Sequence, residues 1–396
     1  MSFFSSQKKR EYAAIFDIES GSVGGSMVAL EHGGKPEILF SSRNVFPVPA
    51  KLAYERYFSL LISSLEKIIA DMQRKALKRP KHIYISLPSV LHLSALRVLR
   101  KKEDTPILVT KKSLAGMVGE APKTPEATGS DSYLPPETPT STIERQVIGI
   151  KLNGYDVANP YEKRATEVEL TLYESITEEL IMKKIATSVG GLFHSEHITF
   201  FTSMLAVYSA LREVLPEMDN YLVLDVTGEV TDVIVVARKG LASTFSIPFG
   251  AHALVRSIGV ARGTNSDEGL LTLKLYTNAY STDEHRESLA PALVEAEKKW
   301  GDYISRVLEF VRAECCAAHR VFIIADSASG PVFSTWMERL LLARKGRGTD
   351  LSLPGEFSPT VTRLDESLMK SSMREVGAVE SDLRLMIAAS FVNNSL

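Results

Sequence analysis

Tyr12-Ala-Ala-Ile-Phe-Asp17-Ile-Glu-Ser-Gly-Ser22 and, far downstream, Tyr221-Leu-Val-Leu-Asp225-Val-Thr-Gly-Glu-Val-Thr-Asp232 are two versions of one pattern. In each, a short apolar run ends on an Asp and small or hydroxylated residues reverse the chain. Apolar residues then resume at 23–30 and 233–237. The pattern reads as strand, polar turn, strand, written twice. Such a turn can cradle a phosphate, because consecutive backbone N–H groups form an anion-binding concavity and an adjacent Asp can hold a hydrated cation. It can equally be an ordinary hairpin closed by an Asx-type turn. Two copies with the same lead-in weigh toward a shared purpose.

The 396 residues are enough for two or three domains, each with its own core. With 44% hydrophobic and 24% charged residues and a net charge of -2, the composition is that of an ordinary soluble protein. The balanced charge, with no Lys/Arg stripe interleaved with aromatics, excludes a nucleic-acid binder. The only two cysteines, Cys315 and Cys316, are adjacent, which excludes a disulfide framework and a four-ligand zinc site and fits a reducing cytoplasm. Lys8, Lys9 and Arg10 run straight into the first strand without the apolar stretch of a signal peptide, and read as a solvated terminus. The longest apolar stretch, Ile198 to Leu211, is too short to span a membrane and is expected to be a buried core helix.

Outward from the first turn, 53–76 has apolar residues at helical spacing, His82–Leu87 reads as a strand, and Leu91–Leu99 as another. Residues 119–142 are rich in Pro, Thr, Glu, Ser and Gly and cannot bury a core, so a flexible surface excursion is expected there. Strands are expected at Glu144–Leu152 and Ala165–Tyr173, separated by the turn signals Asn153-Gly154 and Asn159-Pro160. An amphipathic helix follows at Ile176–Val189, with Gly190-Gly191 expected to stop it. The second half of the chain repeats the organisation of the first. A helix leads to the second turn and a strand to Pro248; a long helix over 290–319 precedes the strand Arg320–Ala325. Residues 326–331 then turn into another helix, and Leu383–Phe391 is a last apolar element. Two related halves imply a cleft between them. His194 and His197, three apart, read as components of a connecting loop rather than a metal site. No Ser/His/Asp spacing rises above chance.

On these residues the chain resembles the actin-like ATPase superfamily, and within it the division protein FtsA and the pilus assembly protein PilM. The resemblance implies an α/β fold: duplicated actin-like (ribonuclease H-like) halves around a nucleotide cleft, with a small inserted α+β subdomain of FtsA type. The division is then 1–103 for the N-terminal portion of the first half, 104–198 for the insert, and 199–396 for the remainder of the first half and the second half. Gln146–Ile150, Asp156–Pro160 and Glu167–Leu172 resemble the FtsA pattern of strand, Asn-Pro turn, strand, and Ser246–Gly250 its Ile-Pro segment. The resemblance implies ATP contacts at Asp17, Ser20, Gly21 and Ser22 in the first phosphate loop and Asp225, Thr227, Gly228, Thr231 and Asp232 in the second. It adds Ala325 and Ser327 in the adenosine loop, with magnesium organised by Asp17 and Asp225.

Three departures bear on that implication. The family's Asp-Ile-Gly-Thr/Ser has Glu19 at its glycine, where a carboxylate would face and repel a polyphosphate. The second loop keeps one glycine and adds Glu229, and Ala325-Asp326-Ser327 replaces a glycine run. The expectation is an FtsA-like scaffold of bacterial cell division with degenerate ATP binding and no efficient ATPase activity. It would bind proteins of the divisome, self-associate, and sit in the cytoplasm at the inner face of the membrane only through partners. The chain ends at the fold's own last element, without FtsA's amphipathic tail, which favours a PilM-like component of a type IV pilus platform as the alternative. A sugar or acetate kinase of the same fold would need an intact adenosine loop.

Overall fold

The computed structural model describes residues 10–75, 78–122, 138–193, 197–278, 282–314, 320–346, 360–374 and 380–395. Cys315, Cys316, His194, Lys8, Lys9 and the centre of the 119–142 segment lie outside them. The first half opens with β1 (Glu11–Ile18), β2 (Ser22–Leu30) and β3 (Glu37–Val45), then α1 (Tyr54–Arg74) and β4 (His82–Leu87). An excursion follows: β5 (Leu93–Leu108), α2 (Lys111–Glu120), β6 (Thr140–Leu152), β7 (Tyr155–Asp156) and β8 (Arg164–Glu178). The chain returns through α3 (Glu179–Phe193), β9 (Ile198–Thr202) and α4 (Ser203–Val214). The second half comprises β10 (Tyr221–Val226), β11 (Thr231–Ala237), β12 (Gly240–Ile247), α5 (Ala251–Arg262), α6 (Ser266–Thr277), α7 (Asp283–Glu314), β13 (Arg320–Ile324), α8 (Gly330–Gly346) and β14 (Thr360–Arg363). α9 (Leu383–Asn394) ends it.

The duplication expected from the paired turns is a duplication of sheets. One sheet has the order β3-β2-β1-β4-β9 and the other β12-β11-β10-β13-β14. In both, the first three strands in sequence form an antiparallel meander, and the next two add parallel to its first strand. Asp17 pairs with Gly24 and Asp225 with Asp232, so each Asp holds the same place beside its hairpin turn. Even the bulges correspond, at Met27/Val28 and Val235/Val236. β1 and β10 are buried on both faces, which is why each reads as a continuous apolar run rather than an alternating one.

The insert is a separate antiparallel sheet, β5-β8-β6-β7, with α2 on it and a small core of Val109, Leu114, Leu152, Ala165, Val168 and Leu170. It begins with β5 at Leu93, earlier than the expected 104. Its last expected piece belongs elsewhere: Ile181, Ile185, Val189 and Phe193 of α3 pack with Phe16, Leu61 and Ile68 in the core of the first half. Gly190-Gly191 does not stop α3, because Phe193 reaches Phe16 at a ring separation of 6.2 Å and this contact extends the helix past both glycines. The stretch 198–211 is likewise not one helix. Its β-branched start pairs parallel with β4 as β9, and the helix begins only at Ser203.

The halves are joined by α4 and α9. Their side chains, Leu205, Ala210 and Leu211 with Met386, Ile387 and Phe391, share one core with Ile15 and Val28 of the first sheet and Val223 and Ile234 of the second. Among the described residues no helix is long and apolar enough to cross a membrane. The second half has its own aromatic centre, where fully buried Trp300 packs edge-on to Phe333 at 5.5 Å and lies 5.9 Å from Trp336. Trp300→Ala should therefore destabilise the second half by about 3–5 kcal/mol in urea unfolding, from the cavity it leaves. A loss under about 1 kcal/mol would show that this aromatic cluster is not what holds the half together.

Candidate functional site

The two hairpin turns meet tip to tip. Ser20 Oγ and Thr227 Oγ1 are 2.6 Å apart, and the Glu229 N–H donates to Ser20 Oγ at 2.8 Å. Gly21 and Gly228 are pressed together so closely that a Cβ on Gly21 would stand 2.8 Å from the Gly228 Cα, and one on Gly228 2.6 Å from the Gly21 Cα. Any other residue at either position would force the tips apart. The residues expected in the two phosphate loops are therefore brought together, but in direct contact, with no polyphosphate-sized gap between Ser20–Ser22 and Thr227–Gly228.

The carboxylates beside the tips are paired with the chain's own arginines. Arg43, on β3, donates to Asp17 at 2.8 Å, to Ser22 Oγ at 2.9 Å and to Asp382, before α9, at 2.6 Å. Arg384, in the first turn of α9, pairs with both Asp225 and Glu19. Glu19, expected to face an incoming phosphate, is instead buried, accepting from Ser22 Oγ at 2.7 Å and turned to Arg384. Glu229, the second acidic replacement, is gripped by Arg256 through two hydrogen bonds of 2.8 and 2.6 Å and by His252 Nδ1 at 3.2 Å.

The remaining expected residues serve the hairpins themselves. Thr231 Oγ1 donates to the Phe249 carbonyl at 2.6 Å. Asp232 accepts from Ser246 and, across the halves, from Ser89, both at 2.7 Å. Ala325 and Ser327 flank Asp326, whose side chain accepts from the Ala328 and Ser329 N–H groups at 2.8 and 2.9 Å and so caps the start of α8. Neither they nor Asp326 line the cavities beside the hairpins.

The electrostatics follow from burial. Five carboxylates, Asp17, Glu19, Asp225, Asp232 and Asp382, share two guanidiniums, Arg43 and Arg384. Burial pushes Asp17 up to about 6 against the pull of Arg43 and Asp232 up to about 7, and it raises Asp225 as well. For Asp382 and Glu229 the same burial is outweighed, by Arg43 for the first and by Arg256 and His252 for the second, and both stay below the usual carboxylate range. The space lined by Asp17, Glu19, Asp225, Asp232 and Arg384 is about 20 Å³, room for about one water molecule.

Magnesium and ATP, which the resemblance implies at Asp17 and Asp225, do not fit the residues as they stand. Each Asp already faces a guanidinium, the tips touch, and the cluster has more negative than positive groups before any phosphate is added. Among the described residues no group of three or more His, Cys, Asp or Glu side chains is placed to hold a metal ion.

The arginines, Asp382 and His252 escaped the sequence reading. One signal was available: Gly24 lies opposite Arg43 in the β2–β3 register, and a Cβ there would be 2.6 Å from the guanidinium. A glycine pair inside an otherwise apolar strand marks a close approach.

Two measurements test this cluster. Arg43→Ala leaves Asp17 and Asp382 buried without their cation and should cost about 3–5 kcal/mol in chemical unfolding. A cost under about 1 kcal/mol would mean that solvent already reaches these carboxylates. The folded state also holds the Asp232 proton until about pH 7, whereas an unfolded Asp releases it near 3.8. Its contribution is thus fully present below the unfolded value and lost as pH rises through about 7. Asp232→Asn should flatten the fall in stability between about pH 4 and 7; an unchanged slope would place the titration elsewhere.

Neither a protein-family model nor a curated protein matches the sequence significantly. Solved structures do match. The chain aligns with a chain of the PilM-PilN type IV pilus biogenesis complex at a TM-score of 0.56 and 12% identity, over 98% of this chain and 99% of that one. Weaker alignments join it to the ethanolamine utilization protein EutJ from Carboxydothermus hydrogenoformans (TM-score 0.46, 11% identity, 97% of this chain and 89% of that one). A Bacteroides thetaiotaomicron protein of actin-like ATPase fold gives a TM-score of 0.40 at 9% identity, over 91% of this chain and 94% of that one. The doubled sheet order, the paired Asp hairpins and the full-length alignment establish an actin-like ATPase fold for this chain.

Proposed function

We propose that this protein is a non-hydrolysing actin-fold scaffold that works by binding other proteins, with a PilM-like place in a pilus or secretion platform. The observation that carries the proposal is the tip-to-tip contact of the hairpins, sealed by Ser20–Thr227 and clamped by Arg43 and Arg384. A nucleotide would have to separate a pair of touching glycines, displace two guanidiniums from buried carboxylates, and add phosphate charge to a cluster already short of cations. Differential binding of a phosphoryl-transfer transition state needs donors aimed at the transferring group, and here the available donors are consumed internally. What remains is a rigid two-half body with an inserted subdomain, suited to presenting surfaces. The pilus role is favoured over cell division because the alignment with the PilM-PilN complex spans nearly both chains, whereas the division role rests on sequence patterns, the Asn159-Pro160 insert and the Ser246–Gly250 segment.

Titration of the full chain with a fluorescent ATP analogue and magnesium tests the proposal. The expected dissociation constant is weaker than about 1 mM. Binding tighter than about 10 µM, or steady ATP turnover lost on Asp225→Asn, would overturn it.

A further inference from the structure

Above the sealed hairpins the cleft mouth holds a cavity of about 270 Å³ whose floor is made in part by Ser20 and Glu229 of the tips. Its walls are apolar: Phe46, Pro47 and Pro49 from the segment after β3, Tyr57 and Leu60 from α1, and Leu91. Its polar floor is small, and it includes His252, which is 7% exposed. With both Glu229 oxygens engaged by Arg256, that carboxylate is an acceptor, so His252 Nδ1 carries a proton toward it. In the neutral tautomer with its proton on Nδ1, Nε2 is the ring's acceptor, and no hydrogen bond to that nitrogen is made among the described residues. At the rim, exposed Arg56 likewise has no carboxylate partner among the described residues. Three carboxylates lie nearby: Glu229, which lines the cavity and is held by Arg256, and Glu55 and Glu178, which act on the lining residue Tyr54 without lining the cavity themselves. Leu52, Tyr54 and Val90, which also line it, are 67%, 51% and 43% exposed, an apolar collar that extends from the cavity onto the surface around its mouth.

We infer that this cavity is a docking site for an acidic segment of a partner protein, which inserts one aromatic side chain bearing a hydrogen-bond donor. The aromatic body fills the apolar walls, its donor meets His252 Nε2, a flanking carboxylate meets Arg56, and the adjoining peptide covers the collar. Aromatic anchors in a desolvated pocket with a charged rim are where binding energy concentrates. A tyrosine or tryptophan answers all of these demands; a phenylalanine would cover that nitrogen without pairing it. The inference deepens the reading of the protein as a partner-binding scaffold and rests on it.

The test follows the His252 ring resonances of the full chain by NMR during titration with three acetylated, amidated tripeptides: Asp-Tyr-Asp, Asp-Phe-Asp and Asn-Tyr-Asn. Asp-Tyr-Asp should bind about 3- to 10-fold more tightly than Asp-Phe-Asp, the worth of one neutral hydrogen bond, and that preference should vanish in His252→Phe. Its advantage over Asn-Tyr-Asn should vanish in Arg56→Gln, an exposed position whose change spares the fold, and should shrink between 0.05 and 0.5 M salt by screening. Equal affinity for the tyrosine and phenylalanine peptides, preferences that survive in both variants, or no saturable shift up to ~10 mM would overturn the inference. Free N-acetyltyrosine binding as tightly as Asp-Tyr-Asp would also overturn it, assigning the cavity to a small ligand. Repeating the titration with magnesium and ATP separates the two readings. Nucleotide binding with the tyrosine preference intact would sink the closed cleft and leave the docking site standing.

Discussion

The structure depends on how two guanidiniums satisfy the carboxylates that a duplicated hairpin forces together. Duplication places Asp17 and Asp225 at equivalent positions of facing sheets, so closing the halves buries both. Isolated buried carboxylates are costly unless a cation pairs with them. Here Arg43 reaches in from the edge strand of the first sheet and Arg384 from the first turn of α9, and each bonds to the Asp of one hairpin. Arg384 also reaches Glu19 of the other hairpin, so one side chain ties the two loops to the C-terminal helix. Removing a partner from such a buried group exposes the full desolvation penalty of what remains, which makes the clamp a strong constraint on the cleft's closure.

Neutralisation is incomplete, and that incompleteness is informative. With more carboxylates than guanidiniums, the shortfall shows up as retained protons, at about 6 for Asp17 and about 7 for Asp232. Glu19 and Glu229 are each held by the chain's own arginines, Arg384 and Arg256. Glu229 also meets His252 on the outer side of the tips, and in so doing orients the imidazole that floors the mouth cavity.

How far the sequence could be read followed the range of the interactions involved. The paired Asp turns depend on local strand and turn chemistry, so both hairpins, their Asp positions and the doubled α/β organisation were legible. Boundaries set by distant packing were not. Nothing near Gly190-Gly191 announces that Phe193 has a ring contact waiting at Phe16, and nothing in Ile198–Leu211 distinguishes a strand plus helix from one helix except the parallel partner β4. The clamp was hidden for the same reason. Arg43 and Asp382 are 339 positions apart, and either one alone looks like a surface charge. Gly24 was the local trace of that long-range contact, visible only once the β2–β3 register is known.

The insert is tied into the same arrangement. Glu144 of β6 accepts from the Thr202 backbone N–H at 3.0 Å and pairs with its hydroxyl, supplying from outside the N-terminal cap that Thr202 does not provide for α4. Burial raises this carboxylate to about 7, so the cap sits close to its own titration. α4 packs on α9, and α9 carries Arg384 into the clamp and is capped by Asp382, which Arg43 also holds. An unbroken series of packed and hydrogen-bonded groups thus joins the inserted sheet to the hairpin tips. Spatial continuity of this kind is not itself coupling, which requires an element with two arrangements that both ends can bias. The structure shows the clamp in one arrangement, closed. The chain of contacts therefore fixes how the inserted sheet is placed against the two halves in the closed arrangement.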